Sequence, residues 1–210
     1  PQITMSRLFG WLAHVCKGSV KNSVIKWFID QYGVNMNEAV EPDYTAYENF
    51  NEFFTRAIRM DLRPMAGDAA TIISPVDGAI SEFGRIESQQ LIQAKGRHYS
   101  LRALLAGDEN NAQLFQHGTF LTAYLSPKDY HRVHMPFSGQ LLDMIYVPGR
   151  LFSVNPASVN GIDNLFARNE RVICIFQTEK GPMAVIMVGA MIVGSIHTVW
   201  HGQVTPAQSR

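Results

Sequence analysis

RVICIFQTEKGPMAVIMVGAMIVGSIHTVWHGQV, residues 171–204, decides the fold. Its longest uncharged run, from Gly181 to Ile196, falls short of the roughly 18–20 apolar residues that a membrane-crossing helix needs. Val, Ile and Met punctuated by Gly fit buried strands instead. The stretch divides into β-rich runs at Arg171–Thr178, Met183–Ile192 and Ile196–Val204. Working outward, similar runs occur at Thr71–Ser74, Ala79–Phe83, Gly118–Leu125 and Gln140–Val147, parted by Gly, Pro and Asn turns. One helix is expected among them, at Leu101–Leu105. Short strands joined by turns predict a mainly antiparallel β domain.

The first 60 residues have a different character. Leu8, Leu12, Val15 and Cys16, then Val20, Val24, Trp27 and Phe28, recur at helical spacing, and Gly18 is expected to divide the segment into two short helices. Across residues 5–33, Arg7, Lys17, Lys21 and Lys26 face one acid, Asp30. An apolar stripe bearing Trp11 and Trp27 beside lysines is the composition of a helix lying on a membrane surface. The commoner alternative packs that stripe on the protein's own core. A further helix is expected from Thr45 to Ile58, because Thr45 and Glu48 have capping-box spacing. There Tyr47, Phe50, Phe53, Phe54 and Ile58 form one aromatic-rich packing face. The fold class expected is α+β: a helical, membrane-associating section over residues 1–60, then a β-rich catalytic domain over 61–210.

At 210 residues the chain can bury a substantial core, and its zero formal net charge argues against a general nucleic-acid binder. Cys16 and Cys174 lie far apart and make neither a metal pattern nor a disulfide framework, which suits a reducing compartment. The first residues lack the basic, apolar and small-residue regions of a secretory signal. A soluble or peripheral protein is expected.

Two constellations carry candidate chemistry. In SPVDG, residues 74–78, Asp77 sits at a tight turn between expected strands, where an aspartate ordinarily bonds its own backbone. In SPKDYHRVHMP, residues 126–136, His131 and His134 stand three apart between Pro127 and Pro136. The prolines disfavour a regular helix, and a turn or bent strand end would bring both imidazoles to one cleft. Histidine moves protons near neutral pH, so the segment suits proton transfer or a charged ligand. One exposed and one core histidine is the plainer alternative. Asp77 placed against either ring would fix its tautomer and raise its basicity. Asp77, His131 and His134 could also hold a catalytic zinc, although the helical H-E-x-x-H spacing is absent. Ser195 follows Gly194 without a G-x-S-x-G elbow and reads as structural.

Five blocks then occur in order: SPVDGAI (74–80), QAKGRHYSLRALL (93–105), TAYLSPKDYHRVHMP (122–136), YVPGRLFSVNP (146–156) and NLFARNERV (164–172). Together, from Asn51–Arg56 to about Thr205, they resemble the bacterial phosphatidylserine decarboxylases. The resemblance implies decarboxylation of phosphatidylserine to phosphatidylethanolamine through an imine with a covalent pyruvoyl group, itself made from an internal serine by self-cleavage of a proenzyme. It implies that Asp77 and His134 activate that serine and that His131 lies nearest the substrate. It also implies a peripheral location on the cytoplasmic face of the bacterial membrane, and a companion α chain from the same precursor. A homodimer of αβ units is a further expectation. The family's serine lies in a Leu-Gly-Ser-Thr segment C-terminal to the matched region, and Ser195, followed by Ile196, is a poor substitute. The chain is therefore expected to be a β chain whose pyruvoyl group sits on the α chain, and residues 1–210 alone are expected to be inactive. A zinc hydrolase on Asp77, His131 and His134 is one alternative. A noncatalytic binding module is another, since the SPVDG turn between strands resembles the hairpins of small carrier domains; Lys95 before Gly96 is a poor match for the modifiable lysine that such a module needs. Arg168 and Arg171 are guanidinium candidates for a head-group phosphate, with surface ion pairs as their plainer role.

Overall fold

The computed structural model describes residues 18–205 except 95, 192 and 194. The described residues form two compact units. One holds the residues up to Ala79 together with Ala123–Phe137, and the other holds Ile80–Thr122 with the residues from Ser138 onward.

The first unit opens with α1, Ser19–Tyr32. Gly18 stands at its N-cap with φ 71°, and Gly33 closes it with φ 68°, its N–H donating to the Ile29 carbonyl. A left-handed residue at this place is what glycine supplies without steric cost. The helix thus starts where the Gly18 break was expected; the preceding helix of that expectation, with Trp11 and Cys16, lies outside the described residues. Lys21, Ile25 and Phe28 face inward. Lys21, read above as part of a basic face, turns its Nζ to the carbonyls of Thr45 (2.8 Å) and Tyr47. A buried ammonium needs such partners, and two free carbonyls in the following loop provide them.

The second helix, α2, is Phe50–Phe54, shorter than the expected Thr45–Ile58. The Thr45 hydroxyl is held by Asp43 instead. The cap forms four residues later: Asn49 accepts from the Glu52 N–H, and the Glu52 carboxylate reaches back one residue beyond the N-cap to accept from the Glu48 N–H. The aromatic face packs as expected. Phe28 meets Phe50, Phe53 and Phe54 at ring separations of 5.0, 6.0 and 5.9 Å, and Ile58 bridges to Ala39.

The second unit carries the sheets. β1 (Ala79–Arg85) pairs with β4 (Thr119–Tyr124), and β2 (Gln90–Ala94) forms a hairpin with β3 (Arg97–Ser100). Between them lie α3 (Leu101–Leu104), capped by Ser100, and α4 (Glu109–Phe115), capped by Asp108. β5 (Gly139–Val147), β6 (Arg171–Thr178) and β7 (Gly181–Val188) make a three-stranded antiparallel sheet with β6 in the middle. α5 (Pro156–Gly161) and α6 (Leu165–Arg168) connect β5 to β6. β8 (Ile196–Thr198) and β9 (Gly202–Thr205) form a closing hairpin. The protein is α+β, with helices near the N-terminus and antiparallel sheets.

β6 explains why its sequence is a nearly unbroken apolar run. Ile173 and Ile175 enter a core with Leu91, Tyr99, Leu104 and Leu165, while Val172, Cys174 and Phe176 enter another with Ile196 and Val204. Both faces are covered, so alternation is lost. Burial pushes the Cys174 thiol up to about 11, leaving it inert near neutral pH. In β5 a bulge between Leu141 and Asp143 lets Leu141 and Met144 share a face.

Two buried polar side chains tie the helical connections to the sheet. Gln93, 1% exposed, donates to the Val159 and Ile162 carbonyls and accepts from the Leu165 N–H, serving the end of α5 and the start of α6 together. Arg171, 2% exposed, donates to carbonyls of Ala103, Leu104, Ala167 and Asn169, at the C-terminal ends of α3 and α6. A cation there also complements both helix dipoles. Replacing Gln93 by Leu would strand three backbone groups, two of them in buried bonds, and should lower stability by about 2–4 kcal/mol in urea unfolding. An unchanged urea midpoint would refute this role.

Three expected strands differ from those observed. Thr71–Ser74 makes no strand; Ile73 has one backbone bond, to the Pro136 carbonyl. Met183–Ile192 is shifted to Gly181–Val188. Ile196–Val204 is a hairpin, turning through Val199–His201 before Gly202 at φ 79°. β2, β3 and the helices α4, α5 and α6 were not expected. Asn155 before Pro156 is a readable start signal for α5, since proline suits the first helical turn and the Asn155 side chain accepts from the Ser158 N–H.

Candidate active site

Asp77, His131 and His134 all belong to the first compact unit. The turn Ser74–Gly78 runs beside the end of the histidine segment. The His134 N–H donates to the Pro75 carbonyl at 2.8 Å, and the Ile73 N–H donates to that of Pro136 at 3.0 Å. Gly78 makes the close approach of this turn feasible, because a Cβ there would lie 2.7 Å from the Tyr124 carbonyl oxygen.

The histidine segment is neither helix nor strand, as its prolines require. Asp129 folds its start by accepting from the N–H and hydroxyl of Ser126 at 2.6 and 2.8 Å. Arg132 donates through Nε to the Thr55 carbonyl, and Arg56 through Nη2 to the Lys128 carbonyl. The two arginines therefore stitch this segment to the end of α2 in both directions.

His131 lies on the Phe54 ring, with centroids 4.0 Å apart. Its Nδ1 is 2.8 Å from the Asp129 carbonyl oxygen. A carbonyl only accepts, so Nδ1 carries the proton and Nε2 is left with a lone pair. Burial is the main cause that holds its pKa below the ordinary 6.5, with the Arg56 charge acting in the same direction and the Asp129 carbonyl opposing. His131 is thus a neutral imidazole with a basic nitrogen unclaimed by any described residue.

His134 has a different environment. Its Nε2 meets the Tyr130 hydroxyl at 2.9 Å, and the Tyr130 phenol is shifted upward, chiefly by burial, with the Asp77 charge adding to the shift and Arg132 opposing it. The Asp77 carboxylate is held by Arg63, whose Nε donates to Oδ2 at 2.7 Å; Arg63 Nη2 also reaches Glu38 at 2.6 Å. His134 is thus bonded to Tyr130 and, through its backbone, to the turn that bears Asp77, whose charge acts on the Tyr130 phenol. Among the described residues no direct hydrogen bond joins Asp77 to His134. Each histidine has its own partner, rather than both rings sharing one.

Arg63, Glu38 and Tyr130 escaped the reading of the sequence. Tyr130 precedes His134 by four residues and was legible in principle. Arg63 and Glu38 reach the site across 14 and 25 residues with no motif to mark them.

The other candidates fall elsewhere. Among the described residues no group of three His, Cys, Asp or Glu side chains is arranged to hold a metal, so the zinc reading has no donor set. Ser195 Oγ meets His197 Nε2 at 3.0 Å in an exposed position, and Gly194 lies outside the described residues. Lys95 does too; Gly96 turns the β2–β3 hairpin at φ 75°. Arg171 is committed to backbone carbonyls, and Arg168 lies over the Phe152 ring at 4.8 Å rather than in an ion pair with Glu170. No described helix is long and apolar enough to cross a membrane.

Similarity to known proteins agrees with the resemblance carried by the blocks. Residues 50–208 match the family described as phosphatidylserine decarboxylase, and residues 1–33 match one described as PSD. A protein of Marinobacter nauticus named phosphatidylserine decarboxylase proenzyme is 57% identical over 207 residues, covering 98% of this chain and 72% of its own. Proteins of the same name from Methylobacillus flagellatus and Coxiella burnetii are 56% and 55% identical over 206 residues, each covering 98% of this chain and 73% of their own. With identity at that level over nearly its whole length, the chain belongs to the phosphatidylserine decarboxylase family.

Proposed function

We propose that this chain is the β portion of a pyruvoyl-dependent carboxy-lyase that converts phosphatidylserine to phosphatidylethanolamine, with Asp77 and His134 serving self-cleavage of the precursor and His131 serving decarboxylation. The observation that carries the division of labour is the contrast between the two imidazoles. His134 lies against the turn that bears Asp77, its N–H on the Pro75 carbonyl and its Nε2 on the Tyr130 hydroxyl, whereas His131 packs on Phe54, with its pKa lowered chiefly by burial and its Nδ1 on the Asp129 carbonyl.

The residues present fit a covalent ketone cofactor in their donor chemistry. The pyruvoyl group, borne on the companion α chain, supplies an electrophilic carbonyl that draws electrons away from the bond to the departing carboxylate. The chain's own part is proton movement. A substrate ammonium must lose a proton before its nitrogen can react, and His131 Nε2, whose ring bonds the Asp129 carbonyl through Nδ1, is the base that takes it. The same nitrogen returns that proton to the α-carbon when CO2 has left, so the protons balance. Phe54 and the Asp129 carbonyl hold the ring and its tautomer throughout. In the precursor, His134 takes the hydroxyl proton of the cleavable serine, and Asp77 stabilises the imidazolium that results. A serine approaching Nε2 would displace the Tyr130 hydroxyl from its present bond.

A lipid substrate has to be reached at a bilayer, and α1 offers a means. Val20, Val24 and Trp27 recur along its outer face with exposures of 61, 39 and 58%. Their spacing leaves an apolar stripe on the solvent side while Ile25 and Phe28 fill the core side. This supports a peripheral association with a membrane surface.

Vesicles containing phosphatidylserine test both points in the full-length protein. Phosphatidylethanolamine and CO2 should appear in equal amounts, and Val24→Asp with Trp27→Ser should lower vesicle binding several-fold. No CO2 from the native protein would end the functional reading. Undiminished vesicle binding by the variant would end the membrane role of α1.

A further inference from the structure

The roles above use Asp77 but leave Arg63 and Glu38 unexplained. Arg63 stands between two carboxylates, its Nε on Asp77 Oδ2 at 2.7 Å and its Nη2 on Glu38 Oε2 at 2.6 Å, with all three side chains about one-third exposed. Surface pairs with that exposure stabilise a fold little, so stability alone accounts poorly for the triad. Its charge is more informative. Arg63 with Asp77 would be neutral and would offer an imidazolium no net attraction. Glu38 brings the cluster to one net negative charge.

We propose that Arg63 and Glu38 are positioning residues for Asp77 in self-cleavage. Arg63 anchors one carboxylate oxygen, Oδ2, while Oδ1 accepts no hydrogen bond from a described residue and stays available to imidazole. Glu38 compensates the arginine, so the anchored aspartate still stabilises positive charge on His134. The proposal rests on the assignment of Asp77 and His134 to self-cleavage.

The test is the self-cleavage rate of the full-length precursor, followed by appearance of the smaller chain, with circular dichroism on the same samples. Glu38→Gln and Arg63→Gln should each slow cleavage several-fold in a folded protein, and Arg63→Lys, which keeps the charge but loses the fork, should recover part of the rate lost in Arg63→Gln. Should Arg63→Gln fail to fold, Glu38→Gln decides alone, because it leaves the bond between Arg63 and Asp77 intact. Native cleavage in Glu38→Gln overturns the proposal. Asp77→Asn separates the two levels: native cleavage there removes the role of Asp77 and the clamp with it, whereas blocked cleavage beside native cleavage in Glu38→Gln removes the clamp only.

Discussion

Asp77→Asn and His134→Ala, each made in the full-length precursor, are expected to leave it almost wholly uncut, with self-cleavage slowed by about 10²–10⁴-fold. The reason is the chemistry of a serine hydroxyl, which attacks a neighbouring carbonyl only as its proton departs. His134 is the base nearest the turn that bears Asp77, tied to it through the Pro75 carbonyl. Asn at position 77 preserves the size of the side chain and removes the charge, so a folded but uncut protein is the anticipated result. Denaturing gels over time, with circular dichroism on the same samples, make the measurement. Cleavage at the native rate in either variant would remove the pair from the mechanism.

His131→Ala should give the opposite pattern. Self-cleavage should run close to its native rate, while decarboxylation falls by about 10²–10⁴-fold, the usual worth of one positioned acid–base group. The separation follows from where the ring sits: it packs on Phe54 and bonds the Asp129 carbonyl, outside the hydrogen bonds linking Asp77 to Arg63 and His134 to Tyr130. The native enzyme carries a related signature. Because burial holds His131 below 6.5, the neutral base persists into mildly acid solution, and kcat/KM should fall to half only below pH 6.5. A midpoint above 6.5, or a His131→Ala precursor that no longer cleaves, would contradict the assignment.

How far the sequence could be read depended on whether a feature was local. β6 and β7 were legible because strands buried on both faces leave continuous apolar runs. β2 was not, since its buried Gln93 serves the backbone of α5 and α6 more than 60 residues away, as the spans of its bonds show. The start of α2 was misplaced because Thr45 and Asn49 both precede a glutamate by three residues, and only the structure shows Asp43 occupying Thr45. Lys21 looked like a surface cation because nothing near it in sequence foretells the carbonyls of Thr45 and Tyr47. The same distinction runs through the site. Asp77, His131 and His134 stand in compact blocks that a resemblance can identify. Arg63 and Glu38 meet Asp77 through the fold and leave no trace in spacing. The tautomer and neutrality of His131 depend on Phe54 and the Asp129 carbonyl, a ring stack and a backbone bond that residue identity alone does not specify.

The central claim is that Asp77 and His134 make a cofactor that His131 then uses. Intact-mass analysis of the purified full-length protein with all its chains tests it most directly. Two chains are predicted, the smaller blocked at its N-terminus by a pyruvoyl group, with His131→Ala giving the same two masses and Asp77→Asn giving one. A single unmodified polypeptide from active native protein would contradict the account.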